Sequence, residues 1–528
     1  MAAGRAKDPH LWEIIGAAVG ACAIFPTMRS RWSNAHTNGD RCMVRPMLAA
    51  FAACLIFAGA ASAAAPEYRM LWVDVFHPGL RTPEEADTMV ETARSAGYNA
   101  LIVQVRKACD AYYNSGVEPK NPAVAPGFDP LDHIIARAHD TSGGRRRLEV
   151  HAWLVTYRCR IPYDDLYRDP RHVYSRHPEW LNQMFNGEKV DRRGDQAGRY
   201  YLDPGVPAVV DYNLEVVSDL LSRYKVDGIH FDYIRYPETE GAGNKWGYNP
   251  VAVQRFNTQY GRTGKPDPAD AEWCEFRRKQ IYFMLRRVYA HVRAWRPQVK
   301  VSAALITWGE INRGFERSSA YAQVMQDWAG IAEAGFLDLL IPMNYKRESV
   351  PAQARAHREW AAFLGETAQR CGRFGINGVD GESLNTLPDI LAQIRATRGL
   401  PGIAGIATYC YAQTRRGSGK VPDTEFFEAI RTQVFQRPAE PPEAVWLTRP
   451  HLGLVKGVAS RGNRQPLDAA TVRLGERETL TDGSGFYAFA HVEPGRHTVR
   501  LLVNGRVAHE ATIEVTAGRV TEAPLAIR

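Results

Sequence analysis

The sequence predicts an α/β protein, a (β/α)8 TIM-type barrel followed by a small C-terminal all-β sandwich. Three observations carry that expectation. From residue 68 onward, eight apolar strand-like runs alternate with amphipathic helical stretches. No Gly-rich phosphate fingerprint follows the first run, which argues against a doubly wound open sheet. Beyond about residue 452 helical periodicity stops, and short strands alternate with turn signals such as Thr481-Asp-Gly-Ser-Gly and Glu493-Pro-Gly.

The first strand is read over residues 68–76. It is followed by a helix opened by Thr82-Pro83-Glu84-Glu85, which has a capping hydroxyl, a proline that fits the first turn and acids facing the helix N-terminus. The second and third runs are residues 100–106 and 148–157. The fourth lies inside Val226-Asp-Gly-Ile-His-Phe-Asp-Tyr-Ile-Arg-Tyr-Pro237, where residues 228–231 form a short buried strand. Residues 300–306, 337–345, 373–377 and 402–409 supply the remaining four. Polar loops over residues 109–129 and 158–201 leave the C-terminal ends of the second and third strands. Barrel enzymes build their sites at that end, so both loops are expected as cleft walls.

The expected organisation is a leader over residues 1–65, a barrel over 66–434, a Pro-rich linker over 435–450 and a sandwich over 451–528. Within the leader, Met43-Val-Arg-Pro precedes an apolar run and then Ala61-Ser-Ala, the order of a secretory signal peptide, with Met43 the expected true start. The apolar run is short for a membrane span, so the expectation is a periplasmic or secreted protein with no stable membrane insertion after cleavage. The net charge is +8, without a dense basic run interleaved with aromatics, which excludes nucleic acid as the expected partner. Cys109, Cys159, Cys274, Cys371 and Cys410 are widely spaced and form no C-x-x-C, so no disulfide framework is indicated.

Polar and aromatic residues gather at the predicted strand ends. In chain order they are Asp74, Gln104 with Arg106, His151 with Trp153 and Tyr157, His230 with Asp232 and Arg235, Trp308 with Glu310, Asn344 with Tyr345, Asp380, and Tyr409. Each has a structural explanation on its own. Their convergence on one rim is what points to a site. Asp232 ends an otherwise apolar strand, a costly place for an acid that nothing uses. Glycoside cleavage needs a proton donor and a second carboxylate. Asp232 is the first candidate, and Glu310 and Asp380 compete for the second.

Four stretches give a resemblance. They are Gln104-Val-Arg with Ala111-Tyr-Tyr-Asn-Ser and Glu118-Pro; Gly127-Phe-Asp-Pro-Leu leading to His151-Ala-Trp; Asp203-Pro-Gly-Val-Pro followed by residues 226–237; and Ile341-Pro-Met-Asn-Tyr. Together, over residues 68–413, they resemble the family-10-like glycosyl hydrolases of bacterial cell envelopes, which are distinct from the true family-10 xylanases. The resemblance implies a barrel glycosidase acting on bacterial cell-wall glycan, with peptidoglycan strands as substrate. It singles out Arg106, Glu118, His151, Trp153, Asp203, Asp232, Arg235 and Tyr345 as cleft residues. The chain departs from the commoner pattern at Asp232-Tyr233, where many relatives carry two successive acids. It departs again at Ile341-Pro-Met-Asn, where a Pro-Gln-x-Tyr strand end is frequent. The tail resembles the carboxypeptidase regulatory-like (prealbumin-like) module through its Thr481-Asp-x-x-Gly-x-Tyr-x-Phe hairpin, which implies spacing or adhesion.

The leading expectation is an exported glycoside hydrolase using carboxylate acid/base catalysis, with no cofactor and no metal. A glycan-binding protein on an inactive barrel is the main alternative. A metal-dependent barrel hydrolase or deacetylase is a further one, for which the first strand offers only Asp74 and His77 as ligands and no H-x-H or H-E-x-x-H appears.

Overall fold

The computed structural model describes residues 64–193, 197–239, 245–380 and 384–527. The signal-like segment therefore falls outside the described residues except for its last two positions. Eight parallel strands close a barrel: β1 Tyr68–Val73, β2 Ala100–Arg106, β3 Glu149–Val155, β4 Gly228–Asp232, β5 Lys300–Ile306, β6 Leu339–Met343, β7 Phe374–Asp380 and β8 Ile403–Tyr409. They follow one another around the barrel, and β8 pairs with β1 to shut it, Leu71 opposite Thr408. Each of the eight apolar runs overlaps one of these strands, the seventh strand running on from residue 377 to Asp380, and the fold class is the one the sequence predicts.

Strand alternation sorts the side chains into two separate cores. Tyr68, Met70, Trp72, Ile102, Trp153, Ile341, Ile376 and Ala407 pack inside the barrel. Their neighbours Leu71, Val73, Leu101, Val103, Leu154, Phe231 and Ile406 face the surrounding helices. The inner layer is tight. A Cβ on Gly228 would sit 2.1 Å from His151 Nδ1, so the first residue of β4 has to be glycine. The helix Pro83–Ser95 begins as its sequence dictates, with Thr82 Oγ1 accepting from the Glu85 backbone N–H at 3.2 Å.

The two long loops are pinned to each other. Lys107 pairs with Asp164 at 2.7 Å, Asn121 donates to the same carboxylate at 3.3 Å and His172 Nε2 lies 2.9 Å from the Ala108 carbonyl, while within the second loop Arg158–Arg160 pairs antiparallel with Tyr200–Tyr201. These bonds fix one side of the barrel mouth.

After the barrel come β9 Gly453–Arg461, β10 Thr471–Leu474, β11 Arg477–Leu480, β12 Phe486–Val492, β13 Gly495–Val503, β14 Arg506–Val515, β15 Val520–Glu522 and β16 Leu525–Ile527. One sheet runs β12-β9-β15, with β16 also on β9, and the other runs β11-β10-β13-β14. Val455, Val472, Tyr487, Phe489, Val499 and Leu501 fill the space between them. The sandwich is bolted to the helix Ala271–Trp295. From that helix the buried Arg286 donates to the carbonyls of Leu480 and Phe486, both at 2.8 Å.

The Pro-rich stretch over residues 435–450 is a packed strap. It crosses the N-terminal ends of the barrel strands, taking hydrogen bonds from Asn99 to the Ala439 carbonyl (3.1 Å) and from Gln298 to the Leu447 carbonyl (2.9 Å). Its Trp446 indole donates to Asp338 at 2.7 Å and packs against Phe374. A cavity bounded by Trp446, Arg293, Arg373 and His491 opens beside this strap, at the opposite end of the barrel from the predicted strand-end cluster.

Candidate active site

Because side chains alternate, the residues that point inward at the C-terminal strand ends follow from parity. They are Gln104 on β2, Trp153 on β3, Asp232 on β4, Asp380 on β7 and Tyr409 on β8, with Asp74 just past β1. Trp72, Trp153, Tyr345 and Tyr409 form an aromatic floor. Tyr409 meets Tyr345 at 5.6 Å, Trp72 at 6.1 Å and Trp153 at 6.4 Å between ring centroids.

Asp232 stands at the edge of this floor, 5% exposed. Its Oδ2 accepts from the Trp153 indole at 3.2 Å and its Oδ1 from the Tyr233 backbone N–H at 2.6 Å. Burial raises its carboxyl above the ordinary range, and the Tyr233 N–H, the charges of Arg235 and Arg158, and the indole offset only part of that rise. A carboxyl held this way keeps its proton to higher pH than a surface aspartate, the property a general acid needs.

Tyr233 turns the chain out of β4 with φ +47°, a left-handed conformation that a tyrosine seldom adopts. Its ring is flanked by two guanidinium groups, Arg158 at 4.4 Å and Arg235 at 4.8 Å from its centroid. Arg235 also lies 4.9 Å from the Trp308 ring and pairs with Glu238 at 3.2 Å. Arg158 and Tyr233 were not among the sequence candidates. The signal for Tyr233 was its place directly after Asp232. Arg158 carried no signal, because its partner lies 75 positions on.

Asp74 is 3% exposed and tightly held. Its Oδ1 accepts the backbone N–H groups of Phe76 (2.9 Å) and His77 (3.1 Å). Its Oδ2 lies 3.0 Å from His77 Nδ1 and 3.2 Å from Cys410 Sγ. Burial pushes this carboxyl up, but hydrogen bonds from His77 and Cys410 and the imidazole charge outweigh it and hold it below the usual range. Gln104 is fully buried; its Oε1 accepts from the Val75 N–H at 3.1 Å, while its Nε2 has no hydrogen-bond partner among the described residues. Lys346, also missed in the sequence, donates to the Thr307 carbonyl at 3.0 Å, and burial lowers it to about 8.

Several sequence candidates sit elsewhere. Glu310 is 62% exposed and pairs with Arg313 at 2.8 Å, on a loop facing solvent. Asn344 has the outward parity of its strand and donates to the His357 carbonyl at 2.8 Å, in the layer between barrel and helices. Arg106 and Glu118 bind each other at 2.7 Å, and Arg106 also donates to the Val155 and Thr156 carbonyls, Asn213 and Cys109. That network leaves no guanidinium nitrogen for a ligand. His151 lies two residues into β3, bonded to Glu149 at the closed end of the barrel. His230 is fully buried beneath the floor between Trp72 and Ser302, and burial together with the His151 charge lowers it to about 3. Asp203 is fully buried and accepts the backbone N–H groups of Gly205 (2.8 Å) and Asn249 (3.2 Å), a knot that ties two mouth loops together. Tyr157 is buried beside it.

An eight-stranded parallel barrel with a buried carboxyl and an aromatic floor at its C-terminal mouth suits a protein of glycoside hydrolase type. The chain matches the glycosyl hydrolase-like 10 family over residues 67–368, and it belongs to that family. The matched span ends before β7, so Asp380 and Tyr409 lie beyond it. Similar proteins include the glycosyl hydrolase YngK of Bacillus subtilis, 22% identical over 460 residues and covering 81% of each chain. The glycosyl hydrolase DigH of Escherichia coli K12 is 26% identical over 301 residues, covering 52% of this chain and 61% of DigH, less than two thirds of its length. Among solved structures, the catalytic domain of a β-amylase from Paenibacillus polymyxa superposes with a TM-score of 0.46 at 12% identity, over 71% of this chain and all of that one.

Proposed function

We propose that this protein is an exported glycoside hydrolase that cleaves glycosidic bonds in a bacterial envelope polysaccharide, with peptidoglycan glycan strands as its substrate. Asp232 serves as the general acid. The observation that supports this reading is the Asp232 carboxyl itself, buried at a barrel strand end, where burial raises its affinity for a proton above that of a surface aspartate. Asp380 is the second carboxylate, as base or nucleophile. It ends β7 with inward parity and lies in register with Tyr409 of the aromatic floor, whereas Glu310 faces solvent. The envelope substrate rests on the motif resemblance, and export rests on the signal-like segment before residue 66. The C-terminal sandwich is assigned a spacing or adhesive role.

The test is to incubate the full chain with purified peptidoglycan glycan strands and measure new reducing ends. Turnover by the wild type that disappears in Asp232→Asn supports the enzyme. Tight binding with no new reducing ends in the wild type would replace it with a glycan-binding barrel.

A further inference from the structure

The barrel closes between β1 and β8, and this seam brings together three side chains that sequence spacing keeps apart. Asp74 and His77 leave the end of β1, and Cys410 follows the end of β8, 336 residues later. The Tyr411 backbone N–H donates to the Trp72 carbonyl at 2.9 Å, which holds the β8 exit against β1 and turns Cys410 toward Asp74. One oxygen, one nitrogen and one sulfur donor then lie within 4.8 Å of one another. We propose that Asp74, His77 and Cys410 form a divalent-cation site, with Zn2+ the ion that fits the donor set.

Four features support it. A carboxylate, an imidazole and a thiolate are all zinc ligands, and the mixture of soft sulfur with harder oxygen and nitrogen disfavours Mg2+ and Ca2+. Asp74 Oδ1 takes two backbone N–H groups, which fixes the carboxylate so that both oxygens lie 3.0 Å from His77 Nδ1 and Oδ2 lies 3.2 Å from Cys410 Sγ. The separations of 3.0 and 3.2 Å are a few tenths of an ångström short of the roughly 3.3–3.7 Å edges of a tetrahedron with zinc-ligand bond lengths. A small outward movement of the exposed imidazole accommodates the ion. Gln413 lies 2.7 Å from His77 Nε2 and fixes the ring from behind. With its amide turned to present the carbonyl, it accepts the Nε2 proton, the usual outer support of a metal-bound histidine, and Nδ1 then offers its lone pair to the ion in place of its hydrogen bond to Asp74.

The His77 side chain is 30% exposed, which gives the ion a path from solvent. Three protein donors leave one position of a four-coordinate ion for water or a substrate hydroxyl. Binding converts the Cys410 thiol to a thiolate, and its proton goes to solvent. Asp232 is not one of the three donors, so cation binding can be tested without reference to the reaction proposed above.

The experiment uses the full chain stripped with a chelator and titrated with Zn2+ by calorimetry, and with Co2+ by absorption spectroscopy. The expected result is one Zn2+ per chain, release of about one proton at neutral pH, and a thiolate-to-cobalt charge-transfer band. Cys410→Ser abolishes the band. His77→Gln, at a partly exposed side chain and with folding checked by circular dichroism, weakens Zn2+ by at least about 10–100-fold, the range seen when even outer-sphere partners of a metal are removed. Cys371→Ser, remote from the seam, changes neither. The proposal is overturned by Zn2+ uptake no tighter than that of the folded His77→Gln protein, or by a Co2+ spectrum without the thiolate band. Both readouts are independent of glycan turnover.

Discussion

The indole N–H of Trp153 donates to Asp232 Oδ2 at 3.2 Å, joining neighbouring strands β3 and β4 at the mouth of the barrel. The same indole is edge-on to Tyr409, so one side chain ties the carboxyl to the aromatic floor. In Trp153→Phe the apolar contact stays and the donor is lost. That hydrogen bond favours the charged carboxylate, so its loss raises the Asp232 pKa. The alkaline limb of the kcat/KM profile is expected to move to higher pH, as measured by reducing-end release across a pH series. An unmoved limb would detach Trp153 from the acid.

Asp232→Asn removes the proton donor while keeping nearly the same volume. A positioned general acid contributes about 10²–10⁴-fold, so turnover is expected to fall by that factor with circular dichroism unchanged. A variant that retains wild-type turnover would rule out Asp232 as the acid.

Asp380 and Glu310 make opposite predictions. Asp380→Asn is expected to remove most turnover. Glu310→Gln breaks only an exposed pair with Arg313, and such surface changes stay within about 0.5 kcal/mol in stability and leave turnover intact. Loss of turnover in Glu310→Gln alone would reverse the pairing proposed here.

Glu118→Gln tests the reading of Arg106 as part of the scaffold. Both side chains are 1% exposed, so neutralising one leaves a buried guanidinium without its countercharge. The cost is on the order of 3–5 kcal/mol, measured as a lower urea midpoint. The folded fraction is expected to keep the wild-type KM, whereas a ligand-binding role for the pair would raise it.

Asp203 gives stability a pH dependence of its own. Burial raises it from 3.8 to about 6, with the Gly205 and Asn249 N–H groups offsetting only part of that rise. Between those values the folded state holds a proton that the unfolded state has released. The group's stabilising contribution is therefore complete below about pH 4 and lost as pH rises through 6. The difference is on the order of 3 kcal/mol. Urea unfolding at pH 4 to 7 should show wild type losing ground to Asp203→Asn over this interval, and parallel curves would refute the assignment.

How much of this was legible in the chain depends on the range of the interactions. Each barrel strand was marked by its own apolar run, and the Pro83 helix by its own capping residues, because burial and capping are read within a few positions. Parity along a strand placed Asp232 and Asp380 inward. The same parity would have placed Asn344 outward, since it is one step out of phase with Ile341 and Met343, and the run of polar residues at that strand end obscured it. Glu310 follows β5 on a loop, and a loop has no alternation to fix where its side chain points.

The sequence by itself determined the barrel, the sandwich and the isolated acid at the end of β4, since all three follow from local periodicity and from the cost of burying charge. Tertiary structure alone decided which distant side chains meet. It closed Arg106 onto Glu118, laid the Pro-rich stretch across the N-terminal end of the barrel, set Arg158 against Tyr233 and brought Cys410 to Asp74. Such contacts arise when the sheet closes on itself, and closure pairs β1 with β8 at a separation that no local pattern in the chain encodes.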